Sequence, residues 1–224
     1  MSAASRAAAA ERAAGRFRAW HGAEPEGVWH APGRANLIGE HTDYNEGRVL
    51  PFALDRGVVV AARGRGDDVL DIRSLQADAP VTVPLATLRA GSVTGWAAYP
   101  AGVAWALREA GQAVGGASLV IDSDLPQGAG LSSSAAIECA TAVALVALYQ
   151  VSVSRLELAR LARRGENEMV GVPAASWTSQ RPCSARRATP CCWTAAPGTP
   201  RRCGSTPAPL GWRCSWWTPV PGMR

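Results

Sequence analysis

The segment 31–47, which reads APGRANLIGEHTDYNEG, holds side chains that could bind a hydroxyl-rich ligand. Its chemically active residues are Arg34, Glu40, His41 and Asp43. They follow no helical period that would place them on the outer face of a helix, and the glycines among them are typical of a loop. Because carboxylates and imidazole accept hydrogen bonds, the segment predicts a sugar-binding loop. A charged surface turn over residues 43–47 is the alternative interpretation.

A second segment, 124–136, reads DLPQGAGLSSSAA and could hold a phosphate. It follows an apolar run and precedes a helix-like stretch, so the order is strand, glycine loop, helix. Gly128 and Gly130 let the backbone approach an anion, which the amides and dipole at a helix start favour. The serines 132–134 can cap the helix, or one hydroxyl can face magnesium. A tight turn with a serine cap is the alternative, and neither the Walker nor the dinucleotide pattern fits.

Together the two segments resemble the galactokinases of the GHMP kinase superfamily. Residues 33–44 read almost as the first signature of that family, and residues 128–134 read as its phosphate loop. The resemblance covers about residues 23–173. It implies direct transfer of a phosphoryl group from ATP to the C1 hydroxyl of α-D-galactose, giving galactose 1-phosphate, with Mg2+ as the metal.

The resemblance also implies a role for individual residues. The sugar would be bound by Glu40, His41, Thr42 and Asp43. Arg34 would be catalytic, because its fixed charge would stabilise the transferring phosphoryl group and hold a neighbouring carboxylate ionised. The nucleotide phosphates would lie on Gly128, Ala129, Gly130, Leu131, Ser132, Ser133 and Ser134. The metal ligands would be Ser134 and Glu166. Trp96 would stack on adenine, with an ordinary core tryptophan as the alternative.

The composition changes after Pro173. All 18 acids lie at or before Glu168, whereas residues 174–224 hold no acid but 7 of the 23 basic residues. The formal charge of +5 therefore comes from this tail, and the chain contains no Lys. A basic balance of this origin does not indicate nucleic-acid binding.

The tail, residues 174–224, has the character of a coding sequence translated in the wrong frame. Trp is encoded by TGG and Thr by ACN, so each Trp-Thr pair yields the Asp codon GAC in the frame that starts at the last base of TGG. Three such pairs begin at Trp177, Trp193 and Trp217. Around the first, the shifted frame allows Gly-Ile-Met-Asp-Gln, the catalytic segment of the resembled family. We therefore expect the catalytic aspartate, the late glycine-rich signature and the second domain to be missing, and the chain to be inactive.

The same hypothesis explains the other tempting features of the tail. Its five cysteines match no paired ligand spacing, which argues against a zinc or disulfide site. Its Trp- and Arg-rich composition is attributed to the frame change rather than to a nucleic-acid platform. Cys139, the cysteine before the tail, is expected to be buried in a helix, as suits a reducing cytosol.

The elements that must position these residues can be read from hydrophobic periods. Predicted strands cover 49–62, 69–73, 80–84 and 117–122, and predicted helices cover 97–110, 135–149 and 154–168. Ser154 and Glu157 form a capping box for the last helix. Mixed strands with helices on one side predict an α+β fold. The resemblance implies an incomplete GHMP-kinase N-terminal domain, of the ribosomal protein S5 domain 2-like type, followed by an unstructured tail.

The predicted organisation has three parts: a helical extension over 1–22, the GHMP kinase N-terminal domain over 23–173, and the aberrant tail. The extension is interrupted by charges, which predicts an amphipathic surface helix rather than a secretory signal. No apolar run approaches the length of a membrane span. We expect a cytoplasmic monomer whose partners are galactose and ATP, with no nucleic acid and no membrane.

Two other functions stay open at this stage. One is a noncatalytic sensor of galactokinase ancestry that binds galactose and ATP. The other is a GHMP kinase acting on another small alcohol, such as mevalonate or homoserine. The run 40–44 argues against the second, and the intact loop 128–136 favours an enzyme over a sensor.

Overall fold

A computed structural model describes residues 3–38, 48–126, 131–171 and 193–194 of the chain. The helices are α1 (Ala3–His21), α2 (Ala98–Glu109), α3 (Ser133–Leu148) and α4 (Arg155–Arg164), and a π-helix (Gly165–Val170) continues α4. The strands are β1 (Gly27–Ile38), β2 (Arg48–Arg65), β3 (Val69–Ser74), β4 (Val81–Pro84), β5 (Gly116–Ser123) and β6 (Trp193–Thr194). Short 3-10 turns cover Leu85–Thr87 and Gly95–Ala97.

The strands form one mixed sheet in the order β1-β2-β5-β3-β4, with β6 pairing the start of β2. Only the β3–β5 pair is parallel among the described strand pairs. The register opposes Pro32 to Gly57 and Val58 to Ser123, so β5 ends level with the middle of β1. The segment that follows β5 and leads into α3 therefore begins beside the sugar-motif strand.

Helices cover both faces of the sheet. Alternate side chains of β2 point to opposite sides, so Val58 and Val60 join the main core with α2 and α3, whereas Val59 and Ala61 pack against α1. We call the α1 side the outer face and the α2–α3 side the inner face. The prediction that the helices lie on one side of the sheet is wrong.

The outer-face helix α1 is amphipathic, but its apolar stripe is made of small residues. Its buried members are Ala9, Ala10, Ala13, Ala14 and Phe17. Their spacing of three and four residues places them on one side of the helix, which alanine side chains allow to approach the strands closely. A small-residue stripe gives a weak amphipathic signal, which is why the sequence indicated only a surface helix.

The predicted strands and helices of the core are confirmed, with small differences at their ends, but the prediction of a loop over 31–47 is wrong for residues 31–38, which belong to β1 because they pair with β2. Strand β5 is one residue longer at each end than predicted, and α3 begins two residues earlier. The Ser154 hydroxyl accepts a 3.2 Å hydrogen bond from the Glu157 backbone, as the capping prediction requires. Helix α4 was predicted to reach residue 168, but it ends at Arg164 and becomes a π-helix.

The α+β fold class is confirmed, and Cys139 is buried in α3 as predicted. Of the tail, only Trp193–Thr194 falls within the described residues. None of the described helices combines the length and apolar character needed to cross a membrane.

Candidate functional site

The strand β1 and the segment that leads into α3 meet at Gly33 and Arg34. The Arg34 backbone N–H donates a 3.2 Å hydrogen bond to the Leu131 carbonyl. A Cβ atom on Gly33 would lie 2.4 Å from the Leu125 Cδ2 atom and 3.1 Å from the Leu131 oxygen. Glycine leaves room for this close approach, which brings the Arg34 backbone of one motif against Leu131, the residue before the serines of the other.

The start of α3 is not a conventional serine cap. Ser132 occupies the N-cap position with φ 56° and ψ 46°, a left-handed conformation that is unusual for a non-glycine residue, and its side chain makes no capping hydrogen bond. Its carbonyl accepts a 3.0 Å bond from the Ala136 N–H. Backbone strain of this kind concentrates at ligand sites, and a first helical turn presents N–H groups that suit an anion.

Two residues that are far from Glu166 in the sequence act on its carboxyl group. Glu166, in the π-helix, is 4% exposed. Burial raises the pKa of Glu166, while a hydrogen bond from the Ser134 hydroxyl and the charge of Arg34 lower it. Arg34 is itself 6% exposed. The structure therefore brings together Arg34 from β1, Ser134 from α3 and Glu166 from the π-helix.

Two glycines set the depth of Glu166. A Cβ atom on Gly165 would lie 2.6 Å from both the carbonyl carbon and oxygen of Gly102 in α2. A Cβ atom on Gly102 would in turn lie 2.9 Å from the Gly165 oxygen. The two backbones are thus in direct contact where the π-helix begins, and π-helical turns occur frequently at functional sites.

The neighbouring acid of the π-helix has a different environment. Glu168 is half exposed and accepts a 3.0 Å hydrogen bond from Arg164 Nε, four residues earlier. The Arg164 guanidinium also lies 5.0 Å from the centre of the Trp105 ring. Of the two acids, Glu166 is turned into the protein and Glu168 is held at the surface.

A further buried acid, Glu138, was missed by sequence reasoning. It lies in α3, is 0% exposed, and neither of its carboxyl oxygens has a hydrogen-bond partner among the described residues. Burial and the charge of Glu166 raise its pKa well above the usual range. Both acids also contribute to raising the pKa of Tyr99 in α2, after burial. The sequence feature that could have identified Glu138 is that it is the single acid within a nearly apolar helix.

Asn36 is another polar side chain that sequence reasoning passed over. It lies two residues after Arg34 on β1, and neither its amide nitrogen nor its oxygen has a hydrogen-bond partner within the described part of the chain. Residues two apart on a strand point to the same side, so Asn36 adds hydrogen-bonding capacity on the Arg34 side of β1.

The donor set at this site suits a hard divalent cation with phosphate groups. A hydroxyl and a carboxyl oxygen are ligands that Mg2+ accepts while keeping several waters. Glu166 Oε2 is buried without a hydrogen-bond partner among the described residues, which leaves it available to a cation. Arg34 supplies the fixed positive charge that phosphate oxygens require.

The segments 39–47 and 127–130, which include Glu40, His41, Thr42, Asp43, Gly128, Ala129 and Gly130, lie outside the described residues. Trp96 lies in the 3-10 turn before α2 and packs partly buried against the main core. Its role as an adenine-stacking residue stays a prediction.

Two family models match the chain. Residues 15–64 match the galactokinase galactose-binding signature, and residues 98–182 match the N-terminal domain of GHMP kinases.

Among curated relatives, galactokinase from Streptomyces coelicolor is 54% identical over 159 residues, covering 70% of this chain and 41% of that protein. Galactokinase from Mycobacterium tuberculosis H37Rv is 52% identical over 143 residues, covering 64% of this chain and 39% of that protein. The chain thus spans about two fifths of the length of these relatives.

Solved structures agree with these matches. Lactococcus lactis galactokinase complexed with galactose superposes with a TM-score of 0.71 at 32% identity, covering 75% of this chain and 45% of that one. Methanococcus jannaschii mevalonate kinase superposes with a TM-score of 0.59 at 20% identity, covering 69% of this chain and 51% of that one, and shares the fold.

Proposed function

We propose that this chain, whose N-terminal part belongs to the galactokinases of the GHMP kinase superfamily, carries the nucleotide- and sugar-binding motifs of an enzyme that phosphorylates galactose. The reaction is transfer of the γ-phosphoryl group of ATP to the C1 hydroxyl of α-D-galactose. The observation that carries the proposal is the convergence of Arg34, Ser134 and Glu166 at the start of α3.

In this proposal the nucleotide phosphates lie against the N-terminal turn of α3. Ser134 and Glu166 would hold Mg2+, which supplies charge neutralisation for the phosphate oxygens. Arg34 contacts the transferring group and stabilises its developing negative charge. The hydrogen bond from the Arg34 backbone to Leu131 keeps the arginine in register with the phosphate loop.

The sugar is proposed to bind at Glu40, His41, Thr42 and Asp43. The strand that carries Arg34 leads directly into this segment, and β2 begins immediately after it. Sugar and nucleotide would therefore approach the same guanidinium from two motifs, which is the positioning that in-line phosphoryl transfer needs.

We further propose that the chain as it stands does not turn over galactose. Trp177 and Thr178 stand where the shifted frame would encode the catalytic aspartate, and the tail supplies no other acid. Leu37, Ile38 and Phe52 are exposed apolar side chains next to the sugar motif, so the purified chain should also aggregate readily.

The test compares two proteins. One is the 224-residue chain, and the other is the frame-restored chain, whose gene has one added base near the codons for residues 173–175. Isothermal titration with galactose and with MgATP measures binding, and formation of galactose 1-phosphate measures turnover. We expect turnover in the frame-restored chain alone. Turnover by the 224-residue chain would refute the inactivity proposal, and a frame-restored protein that binds both ligands without turnover would favour the sensor.

A further inference from the structure

Helix α3 carries a polar stripe inside an otherwise apolar helix. Ser134, Glu138 and Thr141 are spaced by four and three residues, which places them on one side of the helix. Glu138 and Thr141 are both 0% exposed. The stripe therefore runs from the phosphate site at the start of the helix into the protein interior.

The inner members of this stripe are not satisfied by the protein. Both carboxyl oxygens of Glu138 and the hydroxyl of Thr141 lack a hydrogen-bond partner among the described residues. The same holds for Glu166 Oε2. Buried polar groups in folded proteins almost always have a partner, either protein or water. Glu138 and Glu166, which lie close enough to interact through charge, both carry such an unpartnered oxygen, which indicates that a further group binds there.

The charges at Glu138 and Glu166 indicate which kind of ligand these two side chains suit. Burial and the negative charge of Glu166 both raise the pKa of Glu138. None of the described basic side chains lowers it. Arg34 acts on Glu166, where it lowers the pKa. Two buried carboxyls that repel each other, with the charge of Arg34 acting on one of them, are complementary to a small hard cation and its waters.

We propose that Glu138 is a positioning residue of the divalent-cation site: it accepts hydrogen bonds from water bound to the cation that Ser134 and Glu166 hold. This inference rests on the proposed function, since it takes the cation site as given. Outer-shell carboxylates of this kind orient the ligands of a metal, and their removal typically weakens metal affinity by about 10- to 100-fold.

The proposal is tested by Mn2+ titration of the 224-residue chain, with and without ADP, followed by electron paramagnetic resonance of the free ion. Glu138→Gln keeps the shape of the side chain and removes its charge, and we expect its Mn2+ dissociation constant to rise about 10-fold or more. Glu166→Gln should show at least the same loss. Glu168→Gln is the matched control, because it removes an acid from the same π-helix at a half-exposed position paired with Arg164, and its affinity should not change.

The outcomes separate the two proposals. If the unaltered chain binds no Mn2+, the cation site and this inference both fail. If Glu166→Gln loses affinity while Glu138→Gln keeps that of the unaltered chain, only the role of Glu138 is refuted. Thermal unfolding without Mn2+ is recorded for every variant, because a purely structural Glu138 would lower the unfolding temperature and leave the dissociation constant unchanged.

A second variant guards against misfolding. Glu138→Asp keeps the carboxylate on a shorter arm, so it should bind Mn2+ more weakly than the unaltered chain and more tightly than Glu138→Gln. If Glu138→Gln does not fold, the aspartate variant carries the test, and an unchanged dissociation constant overturns the proposal. If neither variant folds, Glu138 is a structural residue and the proposal is wrong.

Discussion

The outer and inner faces of the sheet treat their buried acids differently. On the outer face, Asp122 accepts hydrogen bonds from Arg12 at 3.0 Å and from Gln76 at 2.9 Å. Asp71 is paired with Arg73 at 3.2 Å and lies 3.7 Å from His21. On the inner face, Glu138 and one oxygen of Glu166 have no hydrogen-bond partner among the described residues.

The difference separates acids that hold the fold from acids that serve a ligand. Helix α1 supplies Arg12 and His21 to strand acids, so the outer-face pairs fasten this helix to the sheet. A buried acid without a partner costs folding free energy and is retained where it does chemistry. We therefore expect substitutions on the outer face to alter stability, and substitutions of the inner-face acids to alter ligand binding.

The largest difference between the two faces is expected in how their titratable groups change the stability of the chain at acidic pH. Burial first, and the charge of Arg6 second, lower the pKa of His30, on the outer-face side of β1, to about 4. The unfolded chain takes up this proton near pH 6.5 and the folded chain does not, so the contribution of His30 to stability falls by about 3 kcal/mol as pH drops from 6.5 towards 4. Burial raises the pKa of both Glu138 and Glu166, so their neutral forms favour folding at low pH and oppose the His30 effect, and this contribution is lost as pH rises above about 4.5.

Urea unfolding at pH 6.5 and pH 4 checks this sign. We expect the free energy of unfolding of His30→Gln, relative to the unaltered chain, to be higher at pH 4 than at pH 6.5 by about 3 kcal/mol. Glu166→Gln should leave the acid loss in place. Equal losses in the unaltered chain and in His30→Gln would show that His30 does not control the acid response.

The second largest effect should come from the backbone contact that positions Glu166. Gly165→Ala places a Cβ atom 2.6 Å from the Gly102 backbone, so the helices must move apart, at a cost of about 1–3 kcal/mol. Gly15→Ala in α1 is the matched control, because nothing lies within 4 Å of its Cβ position, and it should stabilise the chain by about 0.5–1 kcal/mol. Thermal unfolding of the two variants should shift in opposite directions.

The smallest effect concerns the outer-face pair. Asp122→Asn keeps the shape of the side chain but removes the charge that Arg12 and Gln76 contact, and because Arg12 is half exposed we expect a loss of about 1 kcal/mol. Asp67→Asn is the control, because the Asp67 side chain of the Arg65–Asp67 pair is half exposed, and it should show no measurable change in urea unfolding. A loss in the control as large as that in Asp122→Asn would mean that burial of the pair is irrelevant.

Much of the inner face could be predicted from local sequence. Long apolar periods fix α3 and β5 to within two residues, because a helix or strand of that length must bury its own side chains. The convergence of Ser134 and Glu166 could not be derived from periodicity, since the two residues come from α3 and the π-helix, and local patterns do not contain how these two elements pack. Only the resemblance to a family connected them.

The failures have a common physical origin. The position of α1 depends on which face of the sheet remains uncovered, and this is decided by strand order, which local patterns do not contain. Helix α4 changes type at Gly165, where its backbone meets that of another helix. Glu138 was counted within an apolar helix because its neighbours in the sequence are apolar, although its neighbours in space include a second acid.

The most direct test of the comparison is the rate of galactose 1-phosphate formation by the frame-restored chain carrying Glu166→Gln or Asp122→Asn. Because Glu166 is proposed to act in phosphoryl transfer, its substitution should lower kcat by about 100-fold or more while the free energy of unfolding is maintained. Asp122→Asn should lower that free energy and leave kcat within about twofold. The account is contradicted if Glu166→Gln retains kcat, or if the two variants lose activity to the same extent.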